Sequence, residues 1–407
     1  MISEGKKINH GIEILRGFSA LIIVFFHIID HHDILDLDYF PTALGRFKPS
    51  GQLAVLLFFV LSGYVIGVNH GNKLAGRNLW TYLKKRFVRI YPIYFIAILL
   101  GILVAPYPYP WQVIVANFTL TQNIVYEVLG TNGPAWSLNY EVLFYLLFIP
   151  VSLFNIKPSI AFIFSLIIGT INLYLPFNPL ISAYAYGFCF WLSGLFIARN
   201  FKETYTRPNL PALLFYILGI GNIIGENAFF TIEGLLSKIK APVFKENLWL
   251  WDQQMVGVND LLFIPYCFMI VLFFAGKTLR YKTHLFIIIQ VIPLFIVYRL
   301  FNDPSNLPPQ LYISIAYLAI ALLICFIRVP DLHLRKIGLW SAGISYGLYM
   351  IHYPFLFLFG RLSLSNDNLL LYIARVIIYL SVISLTAWVL EKRLQPAIRR
   401  PLMPNLP

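Results

Sequence analysis

The apolar positions of this chain come in long runs rather than narrow stripes. Twelve stretches stand out: 12–30, 53–69, 91–105, 137–154, 159–175, 181–198, 211–230, 260–276, 284–301, 310–328, 341–360 and 369–391. A helix rises about 1.5 Å per residue, so roughly 17–25 apolar residues cross a bilayer core. The third run is short, and an amphipathic lead-in from Leu79 brings it to spanning length. The seventh, with Gly219, Gly221 and Gly225, is the least regular. No motif repeats between the two halves, as it would in many transporters. No linker or low-complexity tract interrupts the runs. The pattern predicts an all-α, polytopic helix bundle in which residues 1–407 form a single membrane-embedded domain. Three polar gaps remain, at 31–52, 106–136 and 231–259. The second, with its APYPYPW segment, is expected to dip into the membrane interface. The third, with Trp249 and Trp251, is expected to carry a short interfacial helix.

Composition agrees and narrows the function. Of 407 residues, 59% are hydrophobic and only 12% charged, against about 25% charged in soluble domains. A soluble enzyme, a disordered chain and a nucleic-acid binder are excluded, despite a net charge of +13. Basic residues collect on the cytoplasmic side of membrane proteins. With the N-terminus inside and twelve alternating spans, the inner segments hold 23 of the 31 Lys and Arg residues. The same alternation puts 13 of 18 acidic residues outside and both termini in the cytoplasm. Cys189, Cys267 and Cys325 are too scattered for a disulfide framework. No removable signal is expected in MISEGKKINH.

Charge inside the apolar runs is costly and marks candidate chemistry. In LRGFSALIIVFFHIID, Arg16 and His27 lie eleven residues apart. That is three turns, so both point the same way, about 16 Å apart along the axis. Asp30 and His31 follow His27 at i+3 and i+4 and share its face. A carboxylate there fixes a histidine tautomer and suits His27 to act as a base. The spacing fits a donor entering from inside, its anion held at Arg16 and its reactive end near His27. The alternative is an Arg that snorkels to the interface and a His that only packs.

Other segments add to the picture. In KKRFVRIYP, Arg86 and Arg89 stand one turn apart before Pro92, read as a helix start. They form an anion site or a basic membrane flank. Ser62 and Gly63 in FFVLSGYVIG suit close helix packing, and no base adjoins Ser62 in sequence. In GPAWSLNYEVLF, Trp136 suits an aromatic belt and Ser137 a helix cap. Glu141 is placed at the depth of His27, as an acid–base partner or as the mate of a structural cation. In SYGLYMIHYP, Tyr346, Tyr349 and His352 line one face, and His352 is a substrate contact or a helix–helix bond. No zinc, P-loop or serine-hydrolase signature occurs, so no metal site is expected.

Together these segments resemble the membrane acyltransferase-3 family. The resemblance rests on Arg16 and His27, FFVLSGY at 58–64, RFVRIYP at 86–92, WSLNYE at 136–141 and SYGLYMIHYP at 345–354. Residues 199–335 match only as hydrophobic spans. The resemblance implies about ten core helices, so ten to twelve are expected. It implies transfer of an acyl group, usually acetyl, from cytoplasmic acyl-CoA to a hydroxyl of an envelope or exported glycan or a lipid-linked saccharide. It implies a bacterial inner membrane, acetyl-CoA as co-substrate and no permanently bound cofactor. Some members carry a C-terminal hydrolase-like domain; this chain ends at PLMPNLP without one, so a relay through such a domain would need a separate protein. On this view Arg16, Arg86 and Arg89 bind acyl-CoA, and His27, Glu141 and Asp30 carry the proton chemistry. Ser62, Trp136, Asn139, Tyr349 and His352 contact substrate or hold the structure. An acyl-histidine intermediate is the alternative to direct transfer. The rival classes are a proton-coupled transporter or flippase, which buried Arg, His and Glu also suit, and a non-catalytic assembly component.

Overall fold

The computed structural model describes residues 9–35, 47–71, 73–175, 178–204, 208–228, 256–302, 309–327, 329–362 and 368–403. Trp249 and Trp251, Lys6 and Lys7, Asp36 and Asp38, Arg207 and Arg328 lie outside the described residues, and so does the helix expected near the two tryptophans.

The predicted runs are helical, but 284–301 is divided between two helices and 341–360 runs across the bent break between two more. The bundle opens with α1 (His10–Asp30), α2 (Gly51–Asn69), α3 (Arg77–Leu103), α4 (Trp136–Leu153), α5 (Pro158–Asn172), α6 (Leu180–Asn200) and α7 (Leu210–Ala228). It continues with α8 (Ile264–Phe274), α9 (Lys282–Ile289), α10 (Val291–Phe301), α11 (Pro309–Cys325), α12 (Leu332–Ala342), α13 (Ser345–Arg361) and α14 (Leu369–Val389). Among the described residues seven helical stretches are long and apolar enough to cross a membrane, and α12 with α13 passes the same test only as a pair, bent by 76° at the break between them. Four shorter helices are also apolar. Among the described residues no strand forms, only two isolated bridges. Apolar side chains such as Phe164, Leu323 and Ile378 face outward. That surface suits lipid, with backbone polar groups satisfied within the helices.

Local chemistry sets where the helices begin. The Asn9 side chain caps α1 by accepting from the Ile12 amide at 3.2 Å. Its amide also donates to the Ala275 carbonyl at 3.0 Å, tying α1 to the end of α8. Ser50 caps α2 in the same way through the Leu53 amide. The lead-in before residue 91 is part of α3, a single helix with Pro92 inside it. Pro92 is therefore not the helix start expected from the sequence. Its missing N–H frees the Val88 carbonyl, and Gln395 repairs the gap, donating to the carbonyls of Val88 (3.2 Å) and Arg89 (2.7 Å). Replacing Gln395 with Leu should lower stability by about 1–3 kcal/mol by leaving a buried acceptor unpaired. Thermal unfolding in detergent would report it.

Two contacts bring the functional helices together. α2 and α6 cross where Gly63 meets the Trp191 carbonyl and Gly194 meets the Val60 carbonyl. α1 packs on α12 and α13, and the break between these two leaves the Ala342 carbonyl facing Arg16.

Candidate active site

Two cavities lie along the inward face of α1. The first, about 160 Å³, contains Arg16, Arg86 and Arg89 together with Ser62, Glu141 and Tyr145. The second, about 490 Å³, contains His27, Asp30, His31, Lys48, Trp136 and Tyr353. Val55 and Tyr349 line both, so they form the wall between them. Arg16 and His27 thus line separate cavities on one side of the helix; the spacing predicts the shared side but not the division into two chambers.

The arginine chamber is not uniformly free to bind an anion. Arg16 pairs with Glu13 and donates to the Ala342 carbonyl at 3.0 Å. Arg89 pairs with the buried Glu391 at 2.8 Å, and Glu391 also accepts from the Gly347 amide at 3.1 Å. Arg86 has no carboxylate partner among the described residues. Its guanidinium lies over the rings of Tyr82 and Tyr145, at 5.6 and 5.3 Å. Arg86 therefore carries the charge available to a ligand, while Arg16 and Arg89 also brace the helices.

Glu141 belongs to this chamber and not beside His27. Its carboxylate accepts from the Tyr145 hydroxyl at 2.5 Å and the Ser62 hydroxyl at 3.0 Å. The reason is the approach to α4. Residues Thr131–Ala135 are buried, so the chain dives into the bundle before the helix starts, and Glu141 enters one turn deeper still. The same dive buries Trp136 to 6% exposure, against the outer chamber and the Phe59 and Tyr140 rings, rather than in a lipid-facing belt. Ser137 does not cap α4. Its hydroxyl shares a 2.7 Å bond with Tyr349, which itself donates to the Pro134 carbonyl at 2.7 Å. The fold supplies Ser62 with the neighbouring base that the sequence lacked, and adds the Trp191 indole N–H at 3.3 Å.

The outer chamber is a cluster of rings. Around His27 stand His31 (5.7 Å between centres, stacked), His352 (5.2 Å) and Tyr353 (4.9 Å). Asp30 does not reach His27. It binds Lys48 at 2.6 Å and His31 at 3.5 Å, and His31 also meets the Tyr353 hydroxyl at 3.1 Å. Asn139 lines neither chamber. It is a buried strut that donates to the Gln122 carbonyl at 2.5 Å and accepts from Tyr184 at 2.6 Å. His352 is fully buried behind His27. Sequence reasoning passed over Tyr145, Lys48 and Tyr353. Only Tyr145, one turn after Glu141, left a signal in the spacing. Among the described residues no cluster of His, Cys, Asp and Glu suits a metal.

A family model described as an acyltransferase domain matches residues 9–282, more than half of the chain. The chain belongs to the acyltransferase-3 family. Helices α1 to α8 lie within the match, and with them Arg16, Arg86, Arg89, Glu141, His27, Asp30, His31 and Lys48; Glu391 and His352 lie beyond it. Over 145 residues the chain is 32% identical to Acyltransferase MdmB of Streptomyces mycarofaciens, covering 33% of this chain and 36% of the relative. Over 88 residues it is 38% identical to Protein 2 in picA locus of Rhizobium radiobacter, covering 21% of this chain and 40% of the relative. The chain spans little more than a third of the length of these curated relatives. No solved structure matches. The chain is a helical member of that family, with helices long and apolar enough to cross a membrane.

Proposed function

We propose that this acyltransferase moves an acyl group, acetyl in the simplest case, from cytoplasmic acyl-CoA to a hydroxyl of an envelope or exported glycan or a lipid-linked saccharide. One observation carries the reading: a cationic chamber and a histidine chamber meet end to end at Val55 and Tyr349. Phosphates of the donor bind Arg86, with Arg16 and Arg89 adding field at the inner mouth. The extended arm passes between Val55 and Tyr349, which part to admit it, and brings the thioester to His27. His27 takes the proton of the acceptor hydroxyl, the oxygen bonds to the acyl carbon, and the carbon–sulfur bond breaks. The imidazolium proton then goes to the departing thiolate. The basic-inside bias favours an inner-membrane placement with both termini in the cytoplasm.

Membranes bearing the protein should release free CoA from acetyl-CoA and label envelope saccharides when given radiolabelled acetyl-CoA. Saccharide movement with no acyl-CoA present and no label transfer would instead identify a carrier. Arg86→Gln should raise KM for acetyl-CoA about tenfold or more, the value of one charge-assisted contact, with little change in kcat. An unchanged KM would remove Arg86 from the donor site.

A further inference from the structure

The proton chemistry at His27 needs an orienting partner, and the two carboxylates that the sequence offered are engaged elsewhere. We infer that His352 is the positioning residue of His27, its Nε2 accepting the Nδ1–H of His27; this rests on the proposed role of His27 as base. The His352 ring is fully buried. Its Nδ1 meets the carbonyl oxygens of Tyr349 at 2.7 Å and Leu348 at 3.2 Å. A carbonyl only accepts, so Nδ1 carries the hydrogen and Nε2 keeps its lone pair. That Nε2 is buried and has no protein partner. The Nδ1 of His27 is also buried and without one. The two rings stand 5.2 Å apart between centres, tilted by 37°.

One fixed acceptor and one unpaired nitrogen on adjoining buried rings are complementary when the second carries hydrogen. With the ring radii taken off, the spacing falls within reach of an N–H···N contact of about 3 Å. Catalytic hydrogen bonds of this kind tighten when substrate binds. The pairing sets the tautomer of His27, so that its Nε2 lone pair is the one offered to the acceptor hydroxyl. The charged and titratable neighbours do not compete: Asp30 is held by Lys48 and His31, and His31 by Tyr353. A neutral imidazole also suits this depth better than a second carboxylate, which would need its own counter-charge. The role explains why the carbonyls of the preceding turn of α13 grip the far side of His352.

The test compares His352→Leu with His352→Gln, whose side-chain amide places a polar atom near the Nε2 position. Both are made in the native protein and in His27→Ala, and label transfer from radiolabelled acetyl-CoA to envelope material is measured. His352→Leu should lower kcat about 100-fold with KM for acetyl-CoA unchanged, and His352→Gln should recover about tenfold of that loss. Neither change should lower the residual rate of His27→Ala further. In purified protein with nitrogen-labelled histidine, His27 should show the Nδ1–H tautomer, and His352→Leu should abolish that preference. Full activity in His352→Leu, an added loss on top of His27→Ala, or an Nε2–H tautomer for native His27 would overturn the inference. Should His352→Leu fail to fold, the Gln variant and the native spectrum still decide. Retained transfer in His27→Ala is a separate outcome, which removes the base itself.

Discussion

His27→Ala should reduce acyl transfer at least about 1,000-fold, the upper part of the range for losing a positioned general base. The side chain lines the outer chamber, at the end of a helical face whose other end carries Arg16. Among the described residues of that chamber the other candidate bases are already engaged. His31 is engaged by Tyr353 and Asp30, and Lys48 by Asp30. The donor phosphates are held three turns away, so KM for acetyl-CoA should stay close to native. His27→Ala removes a ring from a partly open chamber and leaves the helix crossings intact, so the protein should insert and purify normally. Acyl transfer measured in membranes, with insertion checked by yield and thermal unfolding, tests this. A folded His27→Ala protein with native turnover would end the assignment of His27 as the base.

The largest structural effect is expected at the crossing of α2 and α6. A Cβ on Gly63 would stand 1.8 Å from the Trp191 carbonyl oxygen, and one on Gly194 would stand 1.8 Å from that of Val60. Both obstacles are backbone, so no rotamer change relieves them, and the two helices must separate. Overpacking a well-filled core costs roughly 1–3 kcal/mol and more where backbone must shift, a large share of a net stability of about 5–15 kcal/mol. Gly63→Val and Gly194→Val should therefore yield little or no monodisperse protein in detergent. The alanine variants should melt several degrees lower. Activity should fall with fold, because the same crossing holds Ser62 against Glu141 and Trp191. Gly71 supplies the contrast: a Cβ there meets nothing within 4 Å, so Gly71→Ala should be silent. Native yield and melting for Gly63→Val would show that the two helices do not pack this way.

Much of the fold was legible in the chain because a bilayer imposes a one-dimensional rule. A span must be long, apolar and helical to satisfy its backbone, so the predicted runs are helical, with breaks inside 284–301 and 341–360. Even the uncertain 211–230 run is helical, as α7. The placing of Arg16 and His27 in line was legible for a similar reason, since helical geometry fixes side-chain direction over three turns. What failed was depth. Local spacing places Glu141 and Trp136 as if α4 begins at the surface, whereas the buried turn before it starts the helix inside the bundle. Pairing failed as well. Asp30 was near His27 in sequence, yet the side chain of Lys48, from a loop eighteen residues on, takes it.

The sequence by itself determined the membrane-helical class, the family and the two ends of the α1 face, because hydrophobic run length and helical periodicity act within a single segment. Only the tertiary structure decided that, of the three chamber arginines, Arg86 has no carboxylate partner among the described residues, that Glu141 sits with Ser62 and Tyr145, and that His352 backs His27. Those outcomes depend on which helices cross and how closely. Distances between segments far apart in the chain are set by packing at small residues and by bends such as that between α12 and α13, and no local spacing encodes them.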